Sequence, residues 1–408
     1  MSNINSDTVI LSDEDCDGMM ATRIVHNALT TAYPKSTHSI LWQNWDVFGL
    51  KDGDIQSILD KRPRTAYIMD IGSGTDILYQ IGTLLTANVN VVILDNHPPD
   101  ILVEGDKSME EYGALLSGLR KTYPFPPVEA FPHPYFFYKS STDNCTTGIA
   151  YNFCRNLSLP LTNMEKWALL GLIGDVASDS KEGGPLFKEL MERHPHLKGL
   201  LASTAIGSKF NWGLIDFYAQ MFHVPRRMIY NDAPAICYAA MKEMEQMSSW
   251  LELYAYINKG DLAALGDFPL FADGKNSATQ YLVRLHIDWR EKHKIVEDWV
   301  NNTQLDFPDF GVTIVRHEWN LGSALANKLS SGKHKTWFVI NDIPNWGIHV
   351  SGRGGKDGKL HIGKVFRSCD PGIMKGGGLK PAGSANAQVQ SAELVLDELI
   401  KGVERSKA

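Results

Sequence analysis

The chain has 408 residues, 43% of them hydrophobic and 10% aromatic, with a formal charge of −7. That is material for two well-buried domains, and it excludes a disordered chain. The mildly acidic balance, without a long basic block, excludes a long-range electrostatic footprint for gripping extended DNA or RNA and leaves room only for a local basic groove. Five scattered cysteines (Cys16, Cys145, Cys154, Cys237, Cys369) with no CxxC pair argue against a Cys-type zinc site and a disulfide framework. The first residues lack the basic and apolar regions of a signal peptide, and no apolar run approaches the roughly 18 to 20 residues of a membrane span. A cytoplasmic protein is expected.

The first hundred residues alternate strand-like apolar runs with helix-like segments. Val9-Ile10-Leu11 reads as a strand, followed by Ser12-Asp13-Glu14-Asp15-Cys16-Asp17-Gly18 and a helix from Met19 to Leu29. Further strands are expected within His38–Trp45, at Ala66–Asp70 and at Asn90–Asp95. Near-continuous apolar strands with helical crossovers predict a parallel, doubly wound α/β sheet, whose ligands bind outside the carboxyl ends of the strands.

The acidic residues fall at those ends. Asp13, Asp15 and Asp17 follow the first strand, Asp70 the third, and Asp95-Asn96-His97 the fourth. One such carboxylate is an ordinary helix cap. Several close together repel one another unless a divalent ion neutralises them. An EF-hand loop starting at Asp13 fails, because its twelfth position is Ile24 rather than the bidentate Glu such a loop needs.

Pro124–Pro134 reads as a connecting loop, and Ser140-Ser141-Thr142-Asp143 supplies N-cap candidates for a helix through Asn156. The next helix starts near Asn163 and carries the run Trp167 to Asp175, which is apolar nearly all round and predicts burial; an Asp emerging from it needs a partner, and the same metal centre provides one. Residues 185–302 read as mostly helical, and the amphipathic run Ala278–Trp299 as a bridging helix. A second α/β unit follows, with strands at Phe310–His317, Thr336–Ile340 and Gly347–Ser351, helices at Leu321–Leu329 and Gln390–Gly402, and a glycine-rich loop at Lys375–Gly383. Glycines bordered by lysines let amide and ammonium groups approach an anion.

With these motifs in order, the chain resembles the DHH phosphoesterase superfamily, in particular its members with a C-terminal DHH-associated domain: RecJ-like nucleases, nanoRNases and phosphodiesterases. Asp13-Glu-Asp15-Cys-Asp17-Gly18, Tyr67-Ile-Met-Asp70, Asp95-Asn96-His97-Pro98 and Gly171-Leu-Ile-Gly-Asp175 resemble its four catalytic motifs. Val350-Ser351-Gly352-Arg353 and Gly376-Gly377-Gly378-x-x-x-Ala382-Gly383 resemble the two substrate-contact motifs of the associated domain. The signature departs at Asn96, where relatives carry a His, and at Leu379, where they carry another.

The resemblance implies a DHH catalytic domain over residues 1–225, a helical connector over 226–304 and a smaller α/β substrate-binding domain over 305–408 across a cleft. It implies a metal-dependent phosphodiesterase hydrolysing short oligonucleotides or dinucleotides to mononucleotides. Alternatives are a RecJ-like single-strand-specific 5′ exonuclease, and a degenerate member that binds nucleic acid or protein without cutting. Two manganese ions, with magnesium as the alternative, would be held by Asp13, Asp15, Asp17, Asp70, Asn96, His97 and Asp175, oxygen-rich ligation suiting hard cations. His97, Asp15 and Asp17 are the expected catalytic residues. Ser351, Arg353, Lys375, Gly376, Gly377, Gly378 and Lys380 are the expected substrate contacts. Expected partners are a short single-stranded nucleic acid or dinucleotide and a second copy of the chain, with no membrane.

Overall fold

The structure, a computed structural model, describes residues 7–43, 49–71, 77–96, 136–139, 145–174, 184–194, 233–245, 278–286, 288–289, 304–331, 335–355, 358–378 and 382–407. The chain divides into two compact units, with the described residues up to Thr279 in the first and those from Gln280 onward in the second.

The first unit is a five-stranded, fully parallel sheet in the order β2-β1-β3-β4-β5. Its strands are β1 (Thr8–Ser12), β2 (His38–Trp42), β3 (Thr65–Met69), β4 (Asn90–Leu94) and β5 (Phe136–Lys139). Helices α1 (Cys16–Ala32), α2 (Asp52–Asp60) and α3 (Ile77–Thr86) make the crossovers. Strands β1, β3 and β4 are buried at every position, as covering both faces requires. Val9, Leu11, Ile68 and Ile93 form one core with Ile55 and Ile58 of α2 and Ile81 and Leu84 of α3. Against α1 pack α4 (Thr146–Asn156) and α5 (Glu165–Gly174), with Met20, Ile24 and Trp167 fully buried. Two further helices are α6 (Pro185–Arg193) and α7 (Ala233–Met244). Helix α8, at 278–286, has its first two residues in this unit and the rest in the second; the Glu243 carboxylate accepts the Ala278 and Thr279 amides at 3.0 and 2.9 Å.

The order 2-1-3 has a direct consequence. The chain leaves β1 for β2 on one side and returns to place β3 on the other, so the topological switch point lies between β1 and β3. Strand β5 is not apparent in the sequence, where Pro124–Pro134 reads as loop; its short Phe-Phe-Tyr-Lys run is the signal, and it pairs in parallel with β4.

A buried polar cluster ties α1 to α5 and α7. Arg23 bonds both Glu245 oxygens, its Nη1 donates to the Tyr238 hydroxyl at 3.1 Å, and Trp167 Nε1 donates to Glu245 at 3.0 Å. The Tyr238 hydroxyl lies 2.8 Å from His26 Nδ1. Burial, with the Arg23, His38 and Lys242 charges facing it, lowers the His26 imidazole to about 4. The unfolded chain therefore binds a proton near pH 6.5 that the folded chain refuses. Stability is expected to be full above that pH and to fall by roughly 1–3 kcal/mol, after a discount for solvent screening, as the pH drops towards about 4. Urea unfolding across this range measures it, and His26→Gln should flatten the slope.

The second unit is a six-stranded mixed sheet, β10-β11-β9-β8-β7-β6. Its strands are β6 (Gln304–Asp306), β7 (Phe310–Arg316), β8 (Thr336–Ile343), β9 (Gly347–Arg353), β10 (Met374–Gly378) and β11 (Ala382–Ala387); its helices are α9 (Gly322–Ser330), α10 (Ile362–Arg367) and α11 (Ala392–Lys407). Phe338, Ile340, Phe366, Leu399 and Val403 lie in its core. The triple glycine expected in a loop is instead strand β10, paired antiparallel with β11. Gly378 has φ +132°, and a Cβ there would lie 2.4 Å from Gly383 Cα, which only glycine avoids.

Candidate metal centre

Parallel register builds the site. Ser12 pairs with Met69, and Met69 with Leu94, so one residue further along lie Asp13, Asp70 and Asp95. The ladder continues past the strand ends: Asp13 N donates to Met69 O and Asp70 N to Leu94 O, each at 3.3 Å. Adjacent strands are about 4.8 Å apart, so three aspartates in this row are forced into proximity. Asp13 and Asp70 flank the switch point itself.

After Asp13 the chain turns into α1. The Asp15 carboxylate caps that helix, accepting the Asp17 and Gly18 amides at 2.8 and 3.1 Å. Gly18 is required by crowding, since a Cβ would sit 2.8 Å from the Asp13 carbonyl oxygen. Across the sheet edge, Asp70 has φ +57°, a left-handed conformation that Asp and Asn tolerate best after Gly. These turns bring one carboxylate oxygen each of Asp13, Asp15 and Asp70 within 4.8 Å of one another.

Asp70 is 4% exposed. Its burial, and then the Asp17, Asp15, Asp95 and Asp13 carboxylates around it, push its carboxyl well above the usual carboxylate range. A cation among these oxygens reverses that penalty, and an all-carboxylate set fits a hard divalent ion such as manganese or magnesium.

Asp17 borders Asp70 and also reaches helix α4. Its Oδ2 and Oδ1 accept the Thr146 and Thr147 amides, each at 2.8 Å, and its own carbonyl accepts the Thr147 hydroxyl at 2.8 Å. Asp17 is thus the cap of α4, whose own N-cap residue, Cys145, makes no side-chain capping bond. The cap candidates Ser140–Asp143 lie outside the described residues, and the cap that is described comes from a residue far back in the sequence. A negative charge at a helix N-terminus is electrostatically favoured.

Thr146, fully buried, is not singled out by the sequence. Its hydroxyl lies 3.0 Å from Asp70 Oδ1 and 3.1 Å from Asn96 Oδ1, and it accepts the Asn96 backbone amide at 3.2 Å. The signal the sequence offers for it is the pair Thr146-Thr147 at the start of an apolar-periodic helix. Asn96 therefore stands beside Asp70, whereas His97 and Asp175 lie outside the described residues.

The remaining expected contacts belong to the second unit. Ser351 is buried on β9, and Lys375 is exposed on β10 beside Gly376, Gly377 and Gly378. The Arg353 guanidinium donates to Ser323 Oγ at 2.6 Å and to the Gly352 carbonyl at 2.8 Å, which fixes its plane. Lys380 and Leu379 lie outside the described residues.

No family model and no curated protein matches the sequence. Solved structures do match it in fold. A DHH-domain protein described as a member of the s1p family of ribosomal proteins aligns over 99% of this chain and 88% of its own, with a TM-score of 0.64 at 14% identity. Exonuclease RecJ bound to manganese aligns over 99% of this chain and 90% of its own, with a TM-score of 0.51 at 14% identity. RecJ from Thermus thermophilus in complex with Mn2+ gives a TM-score of 0.53 at 14% identity, over 98% of this chain and 52% of that one. Among the described residues, no helix is long and apolar enough to cross a membrane.

Proposed function

The chain has the fold of the DHH-domain proteins, and from that premise we propose a metal-dependent phosphodiesterase that hydrolyses short oligonucleotides or dinucleotides to mononucleotides. The observation that carries this reading is the meeting of Asp13, Asp15 and Asp70 at the switch point of the parallel sheet, where ligands of such sheets bind.

Bound manganese or magnesium supplies charge neutralisation at phosphoryl oxygens and a water acidic enough to attack near neutral pH. Asp13, Asp15 and Asp70 would hold the cation, and Asp17, Asn96, His97 and Asp175 would complete the ligand set for a pair of ions. His97 would ligate, or hydrogen-bond the scissile phosphate. Burial of Asp70 supports a site poor in water, where carboxylate–cation attraction is strong. In the second unit, Arg353, Lys375, the β10 glycines and Lys380 would hold the non-reacting phosphates, whereas Ser351 has no exposed surface to offer them; an Arg with its plane fixed is suited to bidentate phosphate contact. The acidic overall balance supports short substrates over long ones.

Purified protein with manganese, offered a labelled dinucleotide, a longer single strand and a cyclic dinucleotide, should turn over the dinucleotide fastest. Asp15→Asn, which keeps the α1 cap while removing the charge, should lower turnover at least about a hundredfold. A preference for the long strand would favour an exonuclease of the RecJ kind, whose fold the chain shares. Absence of turnover on all three substrates, with metal bound, would favour a binding protein.

A further inference from the structure

Helix α4 brings a group to the acidic cluster that is not itself charged. Thr146 is its first residue, fully buried, with its amide held by Asp17 and its hydroxyl between Asp70 and Asn96. We propose that Thr146 is a positioning residue of the metal centre, whose hydroxyl locks the Asp70 carboxylate and the Asn96 side chain into one arrangement. The inference rests on the metal-site reading above and adds to it a member that carries no charge.

The hydrogen count supports one arrangement. A hydroxyl has a single proton and two lone pairs. The Asn96 backbone N–H donates to one lone pair. Two oxygens, Asp70 Oδ1 at 3.0 Å and Asn96 Oδ1 at 3.1 Å, stand within reach of the one proton. The carboxylate is the stronger acceptor and takes it. The second lone pair is matched when the Asn96 carboxamide presents its NH2 group, an orientation set by partners because amide oxygen and nitrogen are distinguished only by their hydrogen bonds. The chain then runs Asn96 N–H to Thr146 O–H to Asp70 O, and the Asn96 carbonyl oxygen turns away from the hydroxyl.

Rigidity is supplied from behind. A β-branched side chain has few χ1 states, and the Thr146 backbone is pinned by the 2.8 Å bond to Asp17. Asp70, in its left-handed turn, and Asn96, one residue past Asp95, are thereby tied to α4 as well as to their own strands. Residues of this kind, behind a ligand, set its orientation, and their loss commonly lowers metal affinity about 10- to 100-fold.

Calorimetric titration of the full chain with manganese tests the inference without any activity assay. Thr146→Val should bind manganese about 10- to 100-fold more weakly, and Thr146→Ser should restore affinity to within about threefold of the wild type. Thr146→Ala serves where the Val variant does not fold, as judged by near-UV circular dichroism. Wild-type affinity in a folded Thr146→Val or Thr146→Ala protein overturns the proposal while leaving the metal site intact, provided Asp70→Asn abolishes binding. Equal weakening by Ser and Val also overturns it, because the hydroxyl would then not be the operative group. If the wild type itself binds no manganese, the metal-site reading falls and this inference with it.

Discussion

Asp70→Asn is expected to be more stable than the wild type without metal and nearly inactive with it. The wild-type carboxyl is buried, surrounded by four other carboxylates, and displaced upward for both reasons. Asparagine keeps the shape, still accepts from the Thr146 hydroxyl, and tolerates the left-handed backbone at φ +57° as well as aspartate does. Removal of one charge from the cluster should therefore raise stability by about 1–2 kcal/mol in chelator, the usual size of such stability–function trades. Manganese should reverse the order, since a ligand at 100 times its Kd stabilises the protein that binds it by about 2.7 kcal/mol. Turnover should fall at least about a thousandfold, equivalent to about 4 kcal/mol of lost charge stabilisation. Thermal melts in chelator and in manganese, beside one turnover assay, read all three effects. A variant that melts below the wild type in chelator would falsify the account of Asp70 as an electrostatically penalised residue, and retained turnover would remove it from the ligand set.

Gly171→Ala is expected to be among the most damaging single-methyl changes in the first unit. Gly171 sits on α5 against the start of α4, and a Cβ there would lie 2.0 Å from Thr147 Oγ1 and 2.5 Å from Thr147 Cβ. Thr147 has no room to yield, because it is fully buried and its hydroxyl and amide are both bonded to Asp17. Either α5 shifts or α4 loses its cap. Overpacking alone costs about 1–3 kcal/mol, and loss of a helix cap adds about 1 kcal/mol. A destabilisation of about 3 kcal/mol or more is the expected result of chemical denaturation. Manganese affinity should fall as well, because the same shift displaces Thr146. An unchanged midpoint would mean that α5 can move away freely, and the tight α4–α5 contact would not matter.

The sheet edge is legible in the sequence because it is written in local patterns. Continuous apolar strands, each followed by an acidic turn, predict both the parallel sheet and the row Asp13–Asp70–Asp95, and parallel register does the rest. Gly18 reads in sequence as the point where the chain turns, but it is the third residue of α1, and what excludes a side chain there is the nearby Asp13 carbonyl. What cannot be read is anything whose partner lies far along the chain. In sequence Asp17 reads as one more carboxylate of the cluster, and its second role as the cap of α4 appears only in the fold, where both its oxygens accept amides of that helix. Thr146 looks like an ordinary helical threonine until α4 is packed against β3 and β4. The glycines of β10 mislead for another reason: glycine is a poor strand former, and only the close backbone pairing with β11 makes its missing side chain an asset.

The cap of α4 has a kinetic consequence. Its first amides are met by a carboxylate 129 and 130 residues earlier, and Cys145 supplies none from its own side chain. A helix of 11 residues is marginal on its own, more so with its N-terminus unsatisfied. The start of α4 becomes stable only after the β1–α1 segment has folded and docked, across a long loop closure. Thr146 reaches Asp70 and Asn96 in that same late step. Metal affinity is thus a property of the finished unit rather than of any early fragment. If manganese binds at Asp13, Asp15 and Asp70, it is expected to slow unfolding more than it speeds folding, which unfolding and refolding rates with and without the ion measure.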